Sequence, residues 1–521
     1  MSAEGAGEPA RPSARDGVVA STRSDERPSV TAVASREHVL TRSLIVLAVA
    51  VLWLRPIGSS FWLDELGTYW VVRRGLRDTI DLALRFQGQS PAYYSIAWAA
   101  RVIGNGSEIV LRLPSLVAGA VAALFVARLG RTLFGREAGW ISGVAFSVTP
   151  LVAFSAVDAR PYAFAYLGLA AATLSLVRLW ESGQRRWSLA YGVAVAATVH
   201  FHYLFGFALL GHLLFIVRRW RTMSSGARHA MWAAAIVTAL LLLPLVAQVP
   251  YLARHAAIPD VPRGDPSIDS FLGILAPVPL VAGALLGWVV ARASRPIDIR
   301  PSGVEGSLTL SASLWLAPPL GLLLFSLASG INLLWATYAR SSAIGSALLL
   351  GAAISALHPE RARRSVLLTL VIVALLATGG RSHGNQDWRG AAATVNAVVY
   401  DPSTPVLMHA AFIEGASVAL LADPDYRDAL LAQISRYPVE GSIVPIPYDL
   451  SPKAERYLEE RVLPRVEASH RFVLVTLEPT APFDVWLEGR LAPFGFEARE
   501  IGDHGSVQVT LFERNTNAGT T

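Results

Sequence analysis

Repeated apolar runs of about 15–20 residues most constrain what this chain can fold into. Three of them occupy residues 43–54, 230–249 and 365–378, together with their apolar flanks. A helix rises about 1.5 Å per residue, so a run of this length can span the roughly 30 Å apolar core of a bilayer. Only 16% of the 521 residues are charged, whereas a soluble globular chain has about a quarter. The sequence therefore predicts a polytopic α-helical membrane protein in the cell membrane.

Arginine residues alternate with the apolar runs and predict how the chain crosses the membrane. They cluster in every second connection, at residues 128–136, 178–186, 218–228, 292–300 and 361–364. Basic loops stay on the cytoplasmic side of a bilayer, so the intervening connections are predicted to lie outside. These outer connections comprise residues 55–108, 156–161, 200–203, 250–269 and 330–340. About eleven transmembrane helices satisfy this pattern, with the amino terminus in the cytoplasm.

Composition divides the chain into three parts. Residues 1–40 are rich in Ala, Ser, Gly, Pro and Arg without apolar periodicity, which predicts a disordered cytoplasmic tail. Residues 41–380 contain the predicted spans and the long outer loop 55–108. In this loop the short apolar stretch 91–104 is predicted to lie as an interfacial helix, with Tyr93, Tyr94 and Trp98 at the level of the lipid head groups. Residues 381–521 mix helical patterns with β-like runs, which predicts an extracytoplasmic soluble α/β domain. The β-like runs occupy residues 405–409, 471–476 and 506–512.

Two residue counts exclude classes of chemistry. The sequence has no cysteine, which excludes disulfides and thiolate nucleophiles or metal ligands. The net charge of +6 comes from arginines dispersed at the ends of the predicted helices. Because these arginines form no single basic patch, no nucleic-acid partner is predicted. The lipid bilayer is the partner that the composition predicts.

An acidic pair follows the first predicted span. Asp64 and Glu65 lie in the apolar and aromatic segment 60–70. Partial desolvation of a carboxylate in such a setting raises its pKa and strengthens it as a base. Adjacent helix residues diverge by about 100°, so we favour Asp64 as the catalytic base and Glu65 as a supporting group. The alternative is that the pair only caps a helix or is solvated at the interface.

Further polar residues in the other outer connections are candidates for binding substrate. They are Asp158, Arg160, Tyr162, His200, His202, Tyr338 and Arg340. A planar guanidinium matches phosphate, but Arg160 could instead pair with Asp158, and Arg340 could snorkel to the interface. For the two histidines, interfacial packing is the alternative, because no third ligand is spaced for zinc.

The order of these motifs resembles the GT-C membrane glycosyltransferases. Within them it is most similar to the bacterial branch of the protein-mannosyltransferase and aminoarabinose-transferase superfamily. The resemblance covers about residues 40–400 and is carried by the acidic pair and by the segments 89–94, 111–115, 155–163 and 387–389. Two places depart from it. Residues 338–340 read Tyr-Ala-Arg where many members have Arg-Tyr, and residues 89–91 read Gln-Ser-Pro where many have a His before the proline.

The resemblance implies that residues 41–380 are a GT-C-like catalytic domain. It implies an inverting hexosyl- or pentosyltransferase that moves a sugar from a polyprenyl-phosphate donor to an envelope glycan, lipid or protein outside the cytoplasm. It maps the base onto Asp64, with Glu65 completing the pair, and the Ala-Arg-x-Tyr loop of the family onto residues 159–162. These residues require no cofactor, although a divalent cation is possible.

A transporter or flippase of lipid-linked sugars is the alternative from another class. Transporters tend to carry ionisable groups at mid-membrane and to be built from internal repeats. Neither feature is evident in this sequence, which favours the transferase.

Overall fold

The computed structural model describes residues 30–258, 265–275, 278–294, 297–301, 303–304, 306–377, 383–478 and 482–515. The chain divides into two compact units, Met1–Val46 and Leu47–Thr521, and the candidate site described below belongs to the second. Of the predicted disordered tail, residues 1–29 lie outside the described residues. The first helix already begins at Val30, so residues 30–40 are helical where the sequence predicts a disordered tail. This segment lacks Pro and Gly and contains helix-forming Ala, Arg, Glu and Leu residues.

The amino-terminal two thirds of the described chain is helical. Its helices are α1 Val30–Leu54, α2 Leu63–Val72, α3 Leu76–Arg85, α4 Pro91–Gly104, α5 Glu108–Phe134, α6 Arg136–Val148, α7 Pro150–Ala156, α8 Tyr162–Ser182, α9 Arg185–Phe201, α10 Leu209–Arg219, α11 Ser225–Val246, α12 Val249–Ala256, α13 Ile268–Leu275, α14 Val278–Ser294, α15 Ser307–Ser329, α16 Ser342–Ser355 and α17 Glu360–Ala377. Two short strands, β1 Asp298–Ile299 and β2 Leu357–His358, form an antiparallel pair. Strand β1 lies between α14 and α15, and β2 lies between α16 and α17.

Four of these helices, α5, α8, α11 and α15, are long and apolar enough to cross a membrane. Two bent pairs pass the same test if each pair is one span, so the described residues contain up to six spans. One pair is α6 with α7, which meet at 73° because Thr149 precedes Pro150 and takes an extended conformation. The chain is therefore a multi-pass membrane protein. The count of about eleven spans and the orientation of the termini stay predictions, since other apolar segments form shorter helices such as α16.

Three short helices, α2 to α4, fold the loop 55–108 into a packed layer. The stretch 91–104 is helical as predicted, with Ser90 as its N-cap and a proline in its first turn. Tyr93 and Tyr94 are only 1% and 0% exposed, so the prediction that they anchor this helix at the membrane surface is wrong. They are buried because the layer packs into the core it shares with the carboxy-terminal residues.

Residues 383–515 combine helices with a five-stranded sheet. The helices are α18 Trp388–Val398, α19 Val418–Ala422, α20 Pro424–Leu430, α21 Ala432–Arg436, α22 Pro452–Tyr457, α23 Leu463–Glu467 and α24 Phe483–Leu491. The strands are β3 Pro405–His409, β4 Ser442–Ile446, β5 Arg471–Leu477, β6 Phe496–His504 and β7 Val507–Arg514. Their order is β4-β3-β5-β7-β6. Strand β3 is parallel to β4 and β5, whereas β7 is antiparallel to both of its neighbours.

Both faces of this sheet are buried, as the alternation along β5 shows. Phe472 and Leu474 pack with α24 on one face, whereas Val473 and Val475 point to the other. The second face shares a continuous core with α2 and α4 of the first loop. The α/β part therefore packs directly on the helical part. The predicted domain boundary at residue 380 lies outside the described residues, and the extracytoplasmic location stays a prediction.

Glu108, the first residue of α5, ties the two parts together. Its Oε1 lies 2.9 Å from Nη2 of Arg389 and 3.0 Å from Nη2 of Arg436, and it accepts a hydrogen bond of 2.9 Å from the Tyr437 hydroxyl. The Glu108 side chain is only 12% exposed. One carboxylate thus accepts from three donors of the α/β part. It lies at a helix amino terminus, which is a favourable position for negative charge.

Replacing Glu108 by Gln is expected to lower the free energy of unfolding by about 1–2 kcal/mol, because both arginines lose a partly buried anionic partner. The measurement is a denaturant titration of the purified protein in detergent. Glu181→Gln is the matched control, since Glu181 forms a half-exposed i,i+3 pair with Arg178 and should change stability by less than about 0.5 kcal/mol. Equal effects of the two substitutions would contradict a role for Glu108 in joining the parts.

Candidate active site

A cavity of about 770 Å³ lies where the first loop, several connections between spans and the α/β part meet. Most residues predicted as a site line it, namely Asp64, Arg160, Tyr162, His200, His202, Tyr338 and Arg340. The structure therefore brings groups from four separate connections into one cavity. The two other predicted acids, Glu65 and Asp158, do not line it.

Asp64 faces the cavity from the first turn of α2 with a side chain that is 32% exposed. Its Oδ2 lies 3.7 Å from Nη2 of Arg160, which is buried. Nη1 of Arg160 donates to Oε1 of Gln87 (3.2 Å) and to the Tyr94 hydroxyl (3.3 Å). This guanidinium is held by neutral acceptors and one loosely placed carboxylate, so much of its charge is available to an anion entering the cavity.

Enclosure in the cavity raises the pKa of Asp64 above its ordinary 3.8, and loss of water is the largest cause. The Arg160 guanidinium opposes this effect, and the buried carboxylate of Asp158 adds to it. A carboxylate whose pKa is raised is a stronger proton acceptor once it is ionised.

Glu65 points away from the cavity into a buried ion pair with Arg112. Nε of Arg112 donates to Oε1 (2.8 Å) and Nη2 to Oε2 (2.5 Å), and both side chains are 0% exposed. Glu65 also accepts hydrogen bonds from the backbone N–H groups of Ala159 (2.8 Å) and Trp62 (3.3 Å). The side chain of Glu65 faces away from the cavity because adjacent helix residues diverge, and its predicted catalytic role stays a prediction. Glu65 fixes α2 to α5 and to the loop that carries Arg160.

Asp158 is also buried behind the cavity and does not pair with Arg160. Its Oδ1 accepts a hydrogen bond of 3.0 Å from the Trp62 indole N–H and lies 3.7 Å from Nε2 of His383. The His383 ring stacks on Phe154 at 4.0 Å. Asp158 thus contacts protein groups behind the cavity, and its predicted role in binding substrate stays a prediction. His383 was not predicted, because a single histidine after the last span carries no local pattern.

A divalent cation is possible at this buried cluster. Glu65, Asp158 and His383 offer ligand atoms that lie within 4.8 Å of one another. However, both Glu65 oxygens already accept hydrogen bonds from Arg112 and backbone N–H groups. An ion would be left with Asp158 and His383, fewer than the three or four protein ligands that zinc takes.

We expect chelation to leave the fold unchanged for this reason. Treatment with EDTA, followed by addition of Zn²⁺ or Mg²⁺, should shift the unfolding temperature by no more than about 1 °C, because a ligand stabilises only the state it binds. A larger shift on adding an ion, lost in the Asp158→Asn variant, would instead establish a cation site here.

Arg340 brings a second guanidinium to the cavity. Its Cζ lies 3.8 Å from the centroid of the Tyr162 ring, and Nη1 donates to the Ser155 hydroxyl at 2.9 Å. The Tyr166 hydroxyl holds the Arg340 carbonyl at 3.1 Å. Arg340 is only 3% exposed, so it does not snorkel to a surface. A cation held by stacking and one neutral hydrogen bond retains donors for an anion.

The two histidines differ in what they contact. His202 packs on the Tyr162 ring at 4.9 Å, and burial together with the two nearby guanidinium groups lowers the pKa of His202 to about 3. His202 is therefore neutral and cannot supply charge to a phosphate. His200 directs Nε2 to the backbone carbonyl of Leu241 at 2.9 Å, which agrees with a packing role. Burial raises the pKa of Tyr338, so its phenol stays protonated.

The remaining lining has two distinct characters. Toward the membrane helices it is apolar, with Leu204, Leu252, Phe325, Ile331 and Leu333. From the α/β part it receives Phe412, Glu414, Tyr426 and Tyr448. The sequence did not predict this second set, because loops that follow buried strands acquire a common location only through the sheet.

Comparisons with known proteins agree with this architecture. A family model described as dolichyl-phosphate-mannose-protein mannosyltransferase matches residues 89–247. The crystal structure of ArnT from Cupriavidus metallidurans in the apo state is similar with a TM-score of 0.53 and 12% identity, over 92% of this chain and 98% of that one. The structure of ArnT bound to undecaprenyl phosphate gives a TM-score of 0.51 and 12% identity, over 94% and 100% of the two chains. No curated protein matches by sequence.

The chain thus shares its fold with ArnT. The predicted resemblance to the superfamily of protein mannosyltransferases and aminoarabinose transferases is confirmed by the matched family model and by the fold shared with ArnT. The matched residues include α4, α5 and the loop that carries Arg160.

Proposed function

We propose that this protein is an inverting glycosyltransferase that moves a sugar from a polyprenyl-phosphate donor to an acceptor outside the cytoplasm. The observation that carries the proposal is the meeting of Asp64, Arg160 and Arg340 in one cavity with an apolar side. A base, two cations and a hydrocarbon surface are the groups that such a reaction needs.

The donor has a charged phosphate and an apolar chain, and the cavity offers two arginines and an apolar side. Its phosphate would bind between Arg160 and Arg340, whose unengaged N–H groups can donate to phosphate oxygens. Its polyprenyl chain would leave along Leu204, Leu252 and Leu333, toward the membrane helices. The similarity of the fold to ArnT, which has been crystallised with undecaprenyl phosphate, supports this class of donor.

The chemistry then requires a single displacement. The acceptor hydroxyl attacks the anomeric carbon of the sugar while the bond from that carbon to the phosphate oxygen breaks. The hydroxyl proton passes to Asp64, and the electron pair leaves with polyprenyl phosphate, whose new charge Arg160 and Arg340 stabilise. Attack opposite the leaving group inverts the anomeric centre. No strong acid is needed, because a phosphate monoester is already a stable leaving group.

Reconstituted liposomes test the proposal. Polyprenyl-phosphate donors labelled in the sugar are supplied with an envelope extract as the acceptor source. Release of unglycosylated polyprenyl phosphate together with a labelled, β/α-inverted product would support the transferase. Movement of intact labelled donor across the bilayer without cleavage would contradict it and establish the transporter alternative.

The pH dependence of the transfer is expected to show an acid limb set by Asp64. Protonation removes the base, so kcat/KM should fall as the pH drops through a pKa above the ordinary 3.8. The measurement is kcat/KM from about pH 4 to 8, with binding of polyprenyl phosphate followed over the same range as the control. A rate that stays constant over this range while binding is unchanged would exclude Asp64 as the base.

A further inference from the structure

The wall that the α/β part contributes to the cavity is built from the ends of two parallel strands. Phe412 and Glu414 follow β3, and Tyr448 follows β4. Crevices outside the carboxyl ends of parallel strands are the usual ligand sites of α/β sheets, because the loops that leave neighbouring strands diverge there. We call this set, together with Tyr426 of α20, the carboxy-terminal wall.

Hydrogen bonds hold the wall in place. The Tyr448 amide donates to the Gly415 carbonyl at 3.2 Å, and the Tyr448 carbonyl is bonded to Nε2 of the buried His409 at 3.0 Å. The Phe412 ring packs against α2 at Gly67, because a Cβ added to this glycine would lie only 3.2 Å from the ring. The wall is therefore preorganised and rests on the helix that carries Asp64.

Aromatic rings and one carboxylate are the groups that the wall presents. The rings of Tyr426 and Phe86 lie 4.8 Å apart, and both residues line the cavity. Oε1 of Glu414 lies 3.2 Å from Nε2 of His255, and these side chains remain 20% and 30% exposed. Glu414 is near enough to Asp64 to raise its pKa. The cavity thus holds a second carboxylate, whose ion pair among the described residues is with His255.

These groups match a sugar ring. Aromatic faces pack on the apolar C–H face of a saccharide, and a carboxylate with an imidazole can bond adjacent hydroxyl groups. The carboxy-terminal wall contributes no Lys or Arg to the described lining of the cavity, so it is not suited to a phosphorylated head group. The two arginines come from the helical part, where the donor phosphate is placed.

We infer that the carboxy-terminal wall is the acceptor subsite and that the acceptor is a neutral carbohydrate, an inference that rests on the proposed function. Glu414 and Tyr448 orient the acceptor so that one hydroxyl faces Asp64. The donor sugar, bound through its phosphate, does not depend on these two residues.

Two separate readouts test this inference. Cleavage of the labelled donor by water is measured without acceptor, and transfer is measured to the protein-free neutral polysaccharide fraction of the envelope. Glu414→Gln and Tyr448→Ala should each raise the polysaccharide concentration at half-maximal transfer by about tenfold, whereas the donor concentration at half-maximal cleavage by water should change by less than about twofold. Tyr400→Ala is the matched control, because Tyr400 is 80% exposed and does not line the cavity.

Binding of the polysaccharide, measured by saturation-transfer NMR on the protein in detergent, separates this inference from the proposed function. Polysaccharide binding that is lost in Tyr448→Ala supports the subsite even if the wild type cleaves no donor. An unchanged dependence on polysaccharide, or a change confined to the donor, would overturn the inference. A labelled product that is destroyed by protease would also overturn it, since the acceptor would then be protein.

Discussion

Replacement of Asp64 by Asn is expected to reduce sugar transfer by about 100- to 10,000-fold, the contribution typical of a general base. The amide has the same size as the carboxylate but cannot accept the acceptor proton. The side chain is partly exposed in the cavity, so the substitution should leave the free energy of unfolding nearly unchanged. The measurement is transfer from labelled donor in liposomes, together with a denaturant titration.

Binding of polyprenyl phosphate distinguishes loss of the base from a structural defect, because a structural defect would weaken this binding. Loss of the carboxylate 3.7 Å from Arg160 removes an anion that competes with phosphate for the guanidinium. Asp64→Asn should therefore bind polyprenyl phosphate as tightly as the wild type or more tightly. Asp81→Asn is the control from the same loop, since Asp81 forms only an exposed pair with Arg85. Unimpaired transfer by Asp64→Asn would remove Asp64 from its proposed role.

Glu65→Gln is expected to have the largest effect on stability, about 3–5 kcal/mol, because it leaves the Arg112 charge without its buried anion. Arg112 is 0% exposed. Its other N–H groups donate to the backbone carbonyls of residues 56, 57, 59 and 60. These hydrogen bonds hold the turn before α2 in place. The expected result is a strongly lowered denaturant midpoint and a smaller yield of folded protein in the membrane.

Arg112→Lys provides a second measurement of the same pair. Lysine keeps the charge but lacks the planar fork that reaches Glu65 and four carbonyls together. We expect it to lose most of the stability that Glu65→Gln loses, whereas Asp81→Asn should change stability by less than about 0.5 kcal/mol. A Glu65→Gln variant as stable as the wild type would show that this pair does not hold α2 in place.

Local patterns in the sequence were sufficient for several elements of this structure. Apolar runs predict many of the helices, and the short apolar stretch 91–104 predicts α4. The divergence of adjacent helix residues predicts that only one acid of the pair faces the site, as is observed for Asp64 and Glu65. Arginine clusters predict which connections share a level, and the structure brings residues from those connections into one cavity.

Partners that lie far apart in the chain could not be predicted in this way. Glu65 and Asp158 both read as site residues, because an acid in an outer loop carries the same local signal whether it faces a cavity or a buried donor. Only the packing of α5 against α2 places Arg112 beside Glu65, and only the return of the chain after α17 places His383 beside Asp158.

The sequence by itself determined a multi-pass helical chain, the order of its motifs and an acidic pair after the first apolar run, since each depends on neighbouring residues. Tertiary structure alone decided which acids are neutralised and that the ends of β3 and β4 complete the cavity. The physical reason is that the charge state and exposure of a side chain depend on groups that surround it in space, which the fold brings from distant parts of the chain.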